Sequence, residues 1–484
     1  MQFSKKDQEI LRQIYRFAKS KKVKLYLVGG ALRDLLLKRE KENPDFDFCL
    51  KRGAISFARK LADKMDAGFV VLDKEHGAAR LVQKMGSRVY TFDFTDFRGP
   101  TLEKDLLHRD FTVNAIAMEL ERAVAGDNIP GLLIDPHAGQ RDLKAKVIRL
   151  VNPKSFSEDP LRILRAFSFS AVLGFRIDGQ TLKLTQKQRE KLGKVSFERI
   201  RDELFKIFEA DSCGEHLRQL DELKILKVIF PEIEQMRGVG GGPYHHLDVW
   251  QHSLEAVSQL DALIKGLDDD SEIRHYLQQY ISAGHRRKAL LKFGALLHDI
   301  GKPKAMRRKG KKIIFHGHER IGLGIAQHIA KRLKLSGDEA SALRRQVLWH
   351  LRPGFLADNQ RLTPRAIFRF FRDTQDEAVS VLLLSLADQR ATRGPLTTRQ
   401  SRLRHEKVVS GLIKEYFRRR KEKKLPRLLN GDVLMKEFKL QPSPLIGRLL
   451  SGVEELQAIG KIKTAAEALK AAGKILRNAP KNLR

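Results

Sequence analysis

Cysteine is almost missing from this chain: Cys49 and Cys213 are the only two among 484 residues. Two thiols cannot build the disulfide framework of a secreted scaffold, so a reducing, cytoplasmic compartment is expected. Long apolar runs are missing too. None approaches the roughly 20 residues that a bilayer-spanning helix requires. The opening segment MQFSKKDQEILRQIYRFAKS is charged and amphipathic, without the apolar core of a signal peptide. No membrane partner is therefore expected. Internal repeats and low-complexity tracts are absent as well, which sets aside solenoid architectures.

Negative charge is scarce: 59 Asp and Glu stand against 93 Lys and Arg, a net charge of +34. Such an imbalance favours a polyanionic partner, because displacing condensed counterions from nucleic acid drives binding without sequence readout. A basic, solubilising surface is the plainer reading of charge taken alone. The length, at roughly 150 residues per domain, calls for three or four modules. Residues 1–150 alternate helical stretches with short β-like runs, LYLV, FDFCL, GFVVLD, ARLVQ and RVYTFDF, the pattern of an α/β or α+β head. From about Glu158 the apolar residues recur at helical period, as in LRILRAFSFSAVLGF and FERIRDELFKIFEA, so the remainder is expected to be all-α. A glycine-rich break from Gly238 to Pro243 separates residues 151–237 from a histidine-bearing block at 238–395. Residues 396–484 follow, with a basic run from Arg418 to Lys424 that suits either a solvated helix face or an RNA contact.

The most telling segment is LYLVGGALRDLLLKREKENPDFDF, residues 25–48. A buried strand is expected to run into Gly29 and Gly30, whose freedom lets the backbone turn and bring its N–H groups against a triphosphate. Arg33 then adds a planar, phosphate-pairing fork. Asp45 and Asp47, two residues apart on the next strand, point to one face and offer hard oxygens to one or two Mg²⁺ ions. Such ions can clamp both the attacking 3′-hydroxyl and the leaving pyrophosphate. A bare DxD is common on surface strands; the glycines and Arg33 upstream distinguish this one. In RVYTFDFTDFRG, Asp93 is the candidate third carboxylate, able to act as general base on the attacking hydroxyl, with Asp96 close by as a competitor.

Further on, HRDFTVNAIAM places Arg109 and Asp110 ahead of Asn114. An adjacent cation and acceptor can hold a triphosphate and a ribose hydroxyl together, though a structural ion pair has the same form. Asp135, Gly139 and Asp142 in DPHAGQRDL suit a turn that closes the head. In SEDPLRILRAFSFSA, Pro160 suits a first helical turn, and Asp159, Arg162 and Arg165 follow at steps of three, so they are expected on one helix face. A carboxylate beside a guanidinium can read the pairing edge of a base without a template, whereas alone this spacing also makes a salt-bridge ladder.

In this order, LVGGALRD…DFDF, HRDFTVNAIA, DPHAGQRDL, EDPLRILRAFSF and FERIRDEL resemble the motifs of the class II tRNA nucleotidyltransferase and bacterial poly(A) polymerase family. The resemblance implies a polymerase β-like head with a five-stranded sheet, followed by helical neck, body and tail. It implies that Asp45 and Asp47 bind the metal and that Gly30 and Arg33 contact the incoming nucleotide. Arg109 and Asp110 would hold triphosphate and ribose, and Asp159, Arg162 and Arg165 would select the base. Two positions depart from the family: His108 stands where an arginine is usual, and Ser168 where another often ends the series.

The histidine block carries His252, His298-Asp299, His318, His350 and Asp388, an order that resembles an HD-domain phosphohydrolase. Of these, His252, His298, Asp299 and Asp388 are the implied metal ligands. Their donors suit Mn, Ni, Co, Fe or, with water, Mg, although a domain can keep such a fold and lose its chemistry. The segment from Leu428 to Leu469 resembles the tail of tRNA nucleotidyltransferases. The expected function is therefore addition of C and/or A from CTP and ATP to a tRNA 3′ end, CCA addition or repair, with release of pyrophosphate. Poly(A) synthesis on other RNA 3′ ends is the alternative of the same class. An HD phosphohydrolase with a nucleotide- or RNA-binding head is the alternative of another class, and the intact Asp45 and Asp47 weigh against it. Nothing in the pattern sets an oligomeric state.

Overall fold

In the computed structural model the described residues are 3–125, 129–240, 246–268, 271–282, 284–310, 312–359, 362–394, 397–422 and 426–478. Gly241, Gly242 and Pro243 of the glycine-rich break, the 395/396 division, and Lys423 and Lys424 of the basic run lie outside them. The chain forms two compact units, one of Met1–Ile207 with Gln219–Ile229 and one of Phe208–Arg218 with Phe230–Arg484.

The first unit is built on a mixed sheet whose strands are β1 (Tyr26–Val28), β2 (Asp45–Leu50), β3 (Gly68–Asp73), β4 (Ala78–Met85), β5 (Arg88–Asp96) and β6 (Ala117–Glu119), in the order β3-β4-β5-β2-β1-β6. It therefore has six strands where the family resemblance implied five; β6 pairs with β1 and closes that edge. Only β2 and β5 run parallel, and their register explains the DFDF and FDF patterns. Phe46 faces Phe92, Asp47 faces Asp93, and Phe48 faces Phe94. Because side chains alternate along a strand, the phenylalanines fall on one face and the aspartates on the other. Phe48 and Phe94 stack at 4.9 Å between centroids, Phe46 and Phe92 at 6.1 Å, and all four are buried. Each contributes roughly 2 kcal/mol by leaving water, so the hydrophobic face fixes which way the aspartates point.

Two helices cover that apolar face. Lys5–Ser20 is capped by Ser4, whose hydroxyl accepts from the Asp7 N–H at 3.2 Å, and buries Ile10, Leu11, Ile14, Phe17 and Ala18 at helical spacing. Ala54–Met65 begins beside Asp96, which accepts from the Ala54 N–H at 2.7 Å. That contact commits Asp96 to a structural task and leaves Asp93 as the third carboxylate.

The chain beyond Glu158 is helical, as expected, with small exceptions. Val147–Ile148 pairs with Arg176–Ile177 in the first unit, and the second unit holds the short pairs Tyr280–Ile281 with His285–Arg286 and Arg307–Lys309 with Lys312–Ile314. At the centre of the second unit lies Arg287–Leu297, buried at every position from Lys288 onward. It packs against Val249–Lys265, Gly337–Trp349 and Ala378–Ala391. The C-terminal helices Gly431–Phe438, Pro444–Ala458 and Ala465–Arg477 gather their own small core around Leu434, Leu449 and Ala468. Glu455 ties this core to Arg365 and Arg369 of Pro364–Thr374. No helix among the described residues is long and apolar enough to cross a membrane.

Candidate active site and metal centre

A cleft of about 660 Å³ opens on the aspartate face of the sheet. It is lined by Gly29, Gly30, Arg33, Asp45, Asp47, Asp93, Arg109, Asp110, Asn114, Asp159, Arg162 and Arg165, so the structure gathers every residue assigned to the head chemistry from sequence. Gly29 sits at φ +75°, ψ −131°, a conformation open essentially to glycine. A Cβ there would stand 3.1 Å from an Asp47 oxygen and 3.2 Å from Arg109 Nη1. The backbone conformation thus favours glycine, and a side chain there would also crowd Asp47 and Arg109.

Asp45, Asp47 and Asp93 each offer an oxygen within 4.8 Å of the others. Burial raises the Asp45 carboxyl, and burial together with the charge of Asp45 pushes Asp47 up to about 6. Asp45 Oδ1 is buried without a hydrogen-bond partner among the described residues. Three converging acids with an uncompensated oxygen fit a hard divalent cation. Asp93, the candidate third carboxylate, lies with the other two. Arg80 of β4 spans it, Nε to Oδ1 and Nη2 to Oδ2, both at 2.7 Å.

Across the cleft, one polar chain fixes the nucleotide-facing groups. Arg33 Nη1 donates to Asn114 Oδ1 at 2.7 Å, Asn114 Nδ2 donates to Asp110 Oδ1 at 3.0 Å, and Arg165 Nη2 lies 2.8 Å from Asp110 Oδ2. Burial works to raise Asp110, but Arg165, the Asn114 amide and the Phe111 N–H outweigh it and hold the carboxyl below its usual range. Phe169 lies between two guanidiniums, 5.2 Å from Arg33 and 5.1 Å from Arg165. Phe169 and Lys206 line the cleft too, and neither stood out in the sequence, where both read as ordinary amphipathic-helix positions.

The expected single helix face of Asp159, Arg162 and Arg165 is corrected. Asp159 lies outside the helix Arg162–Leu173, with extended backbone at φ −144°, ψ 99°. The residue before a proline is pushed out of the α region, and here that proline is Pro160. Asp159 pairs with Arg199 at 2.8 Å. Arg162 turns back to donate to the His108 carbonyl at 2.6 Å and lies 3.3 Å from Glu158. The two unusual positions are also occupied structurally. His108 pairs with Glu158 at 3.2 Å, and buried Ser168 donates to Glu203, which Lys206 meets at 2.8 Å. In the closing turn, Asp135 accepts from the Gly139 and Gln140 N–H groups, and Asp142 meets Thr112 and Arg149.

The second unit holds a denser cluster. His252, His298 and Asp299 form one group of possible metal ligands, and Asp299, His318 and His350 form another, all buried. Asp388 joins the first, 2.9 Å from His252 Nε2 and 3.8 Å from His298 Nε2. Asp299 Oδ2 lies 3.2 Å from His298, and Oδ1 lies 3.2 Å from His318 and 3.7 Å from His350. One device recurs three times: the Nδ1 of His298, His318 and His350 sits on the carbonyl three residues earlier, of Ala295, Phe315 and Val347, at 2.8, 2.9 and 2.7 Å. This assigns the Nδ1–H tautomer and aims each Nε2 lone pair inward. Nε2 of His318 and His350 meet at 3.3 Å. Two inward lone pairs beside a carboxylate repel unless a cation lies among them, so the donor set fits a borderline transition metal. Burial and the neighbouring imidazoles push His350 down to about 3, keeping it neutral and ligand-ready. The sequence order accounts for the first group; the ligand geometry of His318 and His350 came only from the fold.

A carboxylate-bearing polymerase-like head followed by a helical unit with an HD-type centre defines the class: a nucleotidyltransferase joined to an HD domain. Residues 25–149 match the Poly A polymerase head domain, residues 174–236 the probable RNA and SrmB-binding site of polymerase A, and residues 249–393 the HD domain. The chain is 32% identical to the A-adding tRNA nucleotidyltransferase of Deinococcus radiodurans, over 90% of this chain and 91% of that one. It is 28% identical to the CC-adding tRNA nucleotidyltransferase of Geobacter sulfurreducens, over 90% and 88%. The Thermotoga maritima CCA-adding enzyme complexed with tRNA shares the fold at a TM-score of 0.61 and 22% identity, over 98% of this chain and 97% of that one. The chain belongs to the tRNA nucleotidyltransferase and poly(A) polymerase family, and it is a nucleotidyltransferase enzyme.

Proposed function

We propose that the protein adds C and/or A, from CTP and ATP, to the 3′ end of tRNA. The observation that carries this reading is the convergence of Asp45, Asp47 and Asp93 in a cleft also lined by Arg33, Arg109, Arg162 and Arg165. Asp45, Asp47 and, in a change from the base role, Asp93 would hold magnesium. Magnesium bound there supplies Lewis-acid stabilisation of the phosphate charge and makes the 3′-hydroxyl a better nucleophile. Gly29 and Gly30 bring backbone against the triphosphate, and Arg33 and Arg109 neutralise it. Asn114 and Asp110 orient the ribose. The terminal 3′-hydroxyl attacks the α-phosphate and pyrophosphate leaves. Asp159, Arg162 and Arg165 read the base edge, and for this Arg162 must exchange its contact with the His108 carbonyl for the nucleotide. Buried, unbridged Cys49 and Cys213 agree with a reducing cytoplasm.

The test uses tRNA lacking CCA, tRNA ending in CC and an unrelated RNA, with each nucleotide supplied separately. Growth limited to CCA, CC or A positions supports the proposal. Long A tracts on unrelated RNA favour poly(A) synthesis, and no incorporation with every substrate sinks both. A second activity is supported by the six inward-facing imidazole and carboxylate donors: hydrolysis of a phosphoester at the HD centre. His252, His298, Asp299 and Asp388 would hold one Mn, Ni, Co or Fe ion, and Asp299, His318 and His350 a second. Metal bound there supplies a hydroxide nucleophile near neutral pH. We keep residues 1–150, 151–237, 238–395 and 396–484 as the head, neck, HD and RNA-binding tail modules of this scheme.

A further inference from the structure

We propose that the HD centre opens into a phosphoester pocket lined in part by the helix Arg399–Lys421, and that Arg402 pairs with the phosphoryl group of a substrate no larger than a mononucleotide. The proposal rests on the hydrolase reading just given. A cavity of about 320 Å³ is lined by His350 and Asp388 of the cluster and by Ser401, Arg402 and His405. These three residues lie beyond the segment 249–393 that matches the HD domain, so that pattern gives them no task.

Arg402 is held in place, and among the described residues no carboxylate forms an ion pair with it, although Asp358 and Asp388 line the same cavity. Its Nη2 donates to the Thr392 carbonyl at 3.0 Å and to Thr397 Oγ1 at 3.1 Å. Its Nε is buried without a hydrogen-bond partner among the described residues. Both anchors are uncharged, and a guanidinium fork with donors to spare matches a phosphoryl group. The arginines of the head behave otherwise: Arg80 and Arg165 each end on an aspartate. The other lining groups mix polar side chains with Leu351 and Ala357. His405 Nε2 and Ser385 Oγ lie 3.0 Å apart, and exposed Asp358 shares the rim. The volume falls at the low end of small-molecule pockets, which admits one nucleotide-sized ester and excludes a base-paired stem. The reaction it serves is hydrolysis: a water oxygen bonds to phosphorus, the ester P–O bond breaks, and the alcohol leaves with a proton.

The test uses the full-length protein loaded with Mn²⁺. Electron paramagnetic resonance counts bound metal, and paramagnetic relaxation of the ³¹P signal reads inorganic phosphate beside it. Wild type should take up Mn²⁺ and relax phosphate. R402Q should keep the metal but weaken phosphate binding by roughly 10- to 100-fold, the loss of a hydrogen bond to a charged group. R402K should recover part of this as a point charge without the fork. Nucleotide addition by the head in the same samples should not change, which controls for folding. A mononucleotide should compete with phosphate, and an RNA hairpin should not; equal competition by the hairpin overturns the size assignment. Unaltered phosphate affinity in R402Q, or loss of its Mn²⁺, overturns the role of Arg402. Failure of wild type to bind Mn²⁺ sinks the hydrolase reading itself, and this proposal with it.

Discussion

The head holds a half-buried cluster of acids and the HD unit a more deeply buried one, and they treat the resulting charge in opposite ways. In the head, burial raises Asp45 and Asp47, and among the described residues Asp45 Oδ1 has no hydrogen-bond partner. In the HD unit burial pushes the same way, but His252 outweighs it at Asp388, and His298 and Lys302 outweigh it at Asp299; both carboxyls fall far below their usual range. Lys302 Nζ alone stands 2.6 Å from Asp299. The head site is thus electrically incomplete until a cation arrives, which suits a metal that comes and goes with a nucleotide triphosphate. The HD site sets Lys302 and imidazoles against its acids yet keeps the Nε2 atoms of His318 and His350 facing Asp299, and such inward imidazoles suit a metal held in residence.

The largest effect should come from the incomplete site. Replacing Asp45 or Asp47 by alanine should cut nucleotide addition by about 10³-fold or more, because metal stabilisation of a transferring phosphoryl group is worth several kcal/mol. Binding of Mn²⁺ at the HD unit should stay intact. If D45A leaves incorporation unchanged, the carboxylate assignment is wrong. The reverse experiment is D299A, which removes the residue common to both ligand groups. Metal analysis should show the HD unit emptied, while addition to tRNA changes less than about twofold, as for a substitution that shares no partner with the head site. A parallel fall in addition would mean that the two sites are not independent.

The comparison also fixes a pH dependence. The folded-state value of Asp47, about 6, lies above the ordinary aspartate value, so folding favours the neutral carboxyl. The associated stability is full below pH ~4 and is lost as the pH rises through about 6. At pH 7.5 and without magnesium, wild type therefore carries a penalty that D47N escapes, and D47N should be more stable by up to ~3 kcal/mol. The gap should close as the pH falls toward ~4. Magnesium should close it from the other side, by stabilising wild type alone. Equal melting points at pH 7.5 without magnesium would show that the cluster is already compensated.

Much of this contrast was legible in the chain. DFDF and FDF alternate phenylalanine with aspartate, and a parallel pairing in register turns that pattern directly into a hydrophobic face and an acidic one. The glycine pair and the order HRD, EDPLR and FERIRDEL placed the cleft. What failed was geometry that depends on one local rule outranking another. The spacing of Asp159, Arg162 and Arg165 is helical, yet Pro160 removes Asp159 from the helix. In the HD unit, His318 and His350 were visible as histidines, but nothing in a separation of 32 residues says that both place Nε2 within reach of Asp299. That follows from each ring sitting on the carbonyl three residues before it. Arg80 escaped notice because only the β4–β5 register sets it opposite Asp93.

The smallest effect should come at Ser168, the position that departs from the family. Its hydroxyl supplies one of the donors to Glu203, a buried carboxylate that also meets Lys206. This corner of the head follows the pattern of the HD unit: buried acid compensated in advance. S168A should therefore cost only ~1–2 kcal/mol of stability, since Lys206 continues to pair with Glu203. The preference between ATP and CTP should shift by less than about threefold, because the hydroxyl faces the carboxylate and Lys206 remains in the cleft. K206A removes the ion-pair partner of Glu203, and it should cost more than S168A in both stability and nucleotide affinity. A measured order in which S168A alters nucleotide choice more than K206A would place Ser168 among the base-reading groups. Glu203 would then be better described as an open acceptor, and the contrast between an incomplete metal site and balanced surroundings would no longer hold within the head.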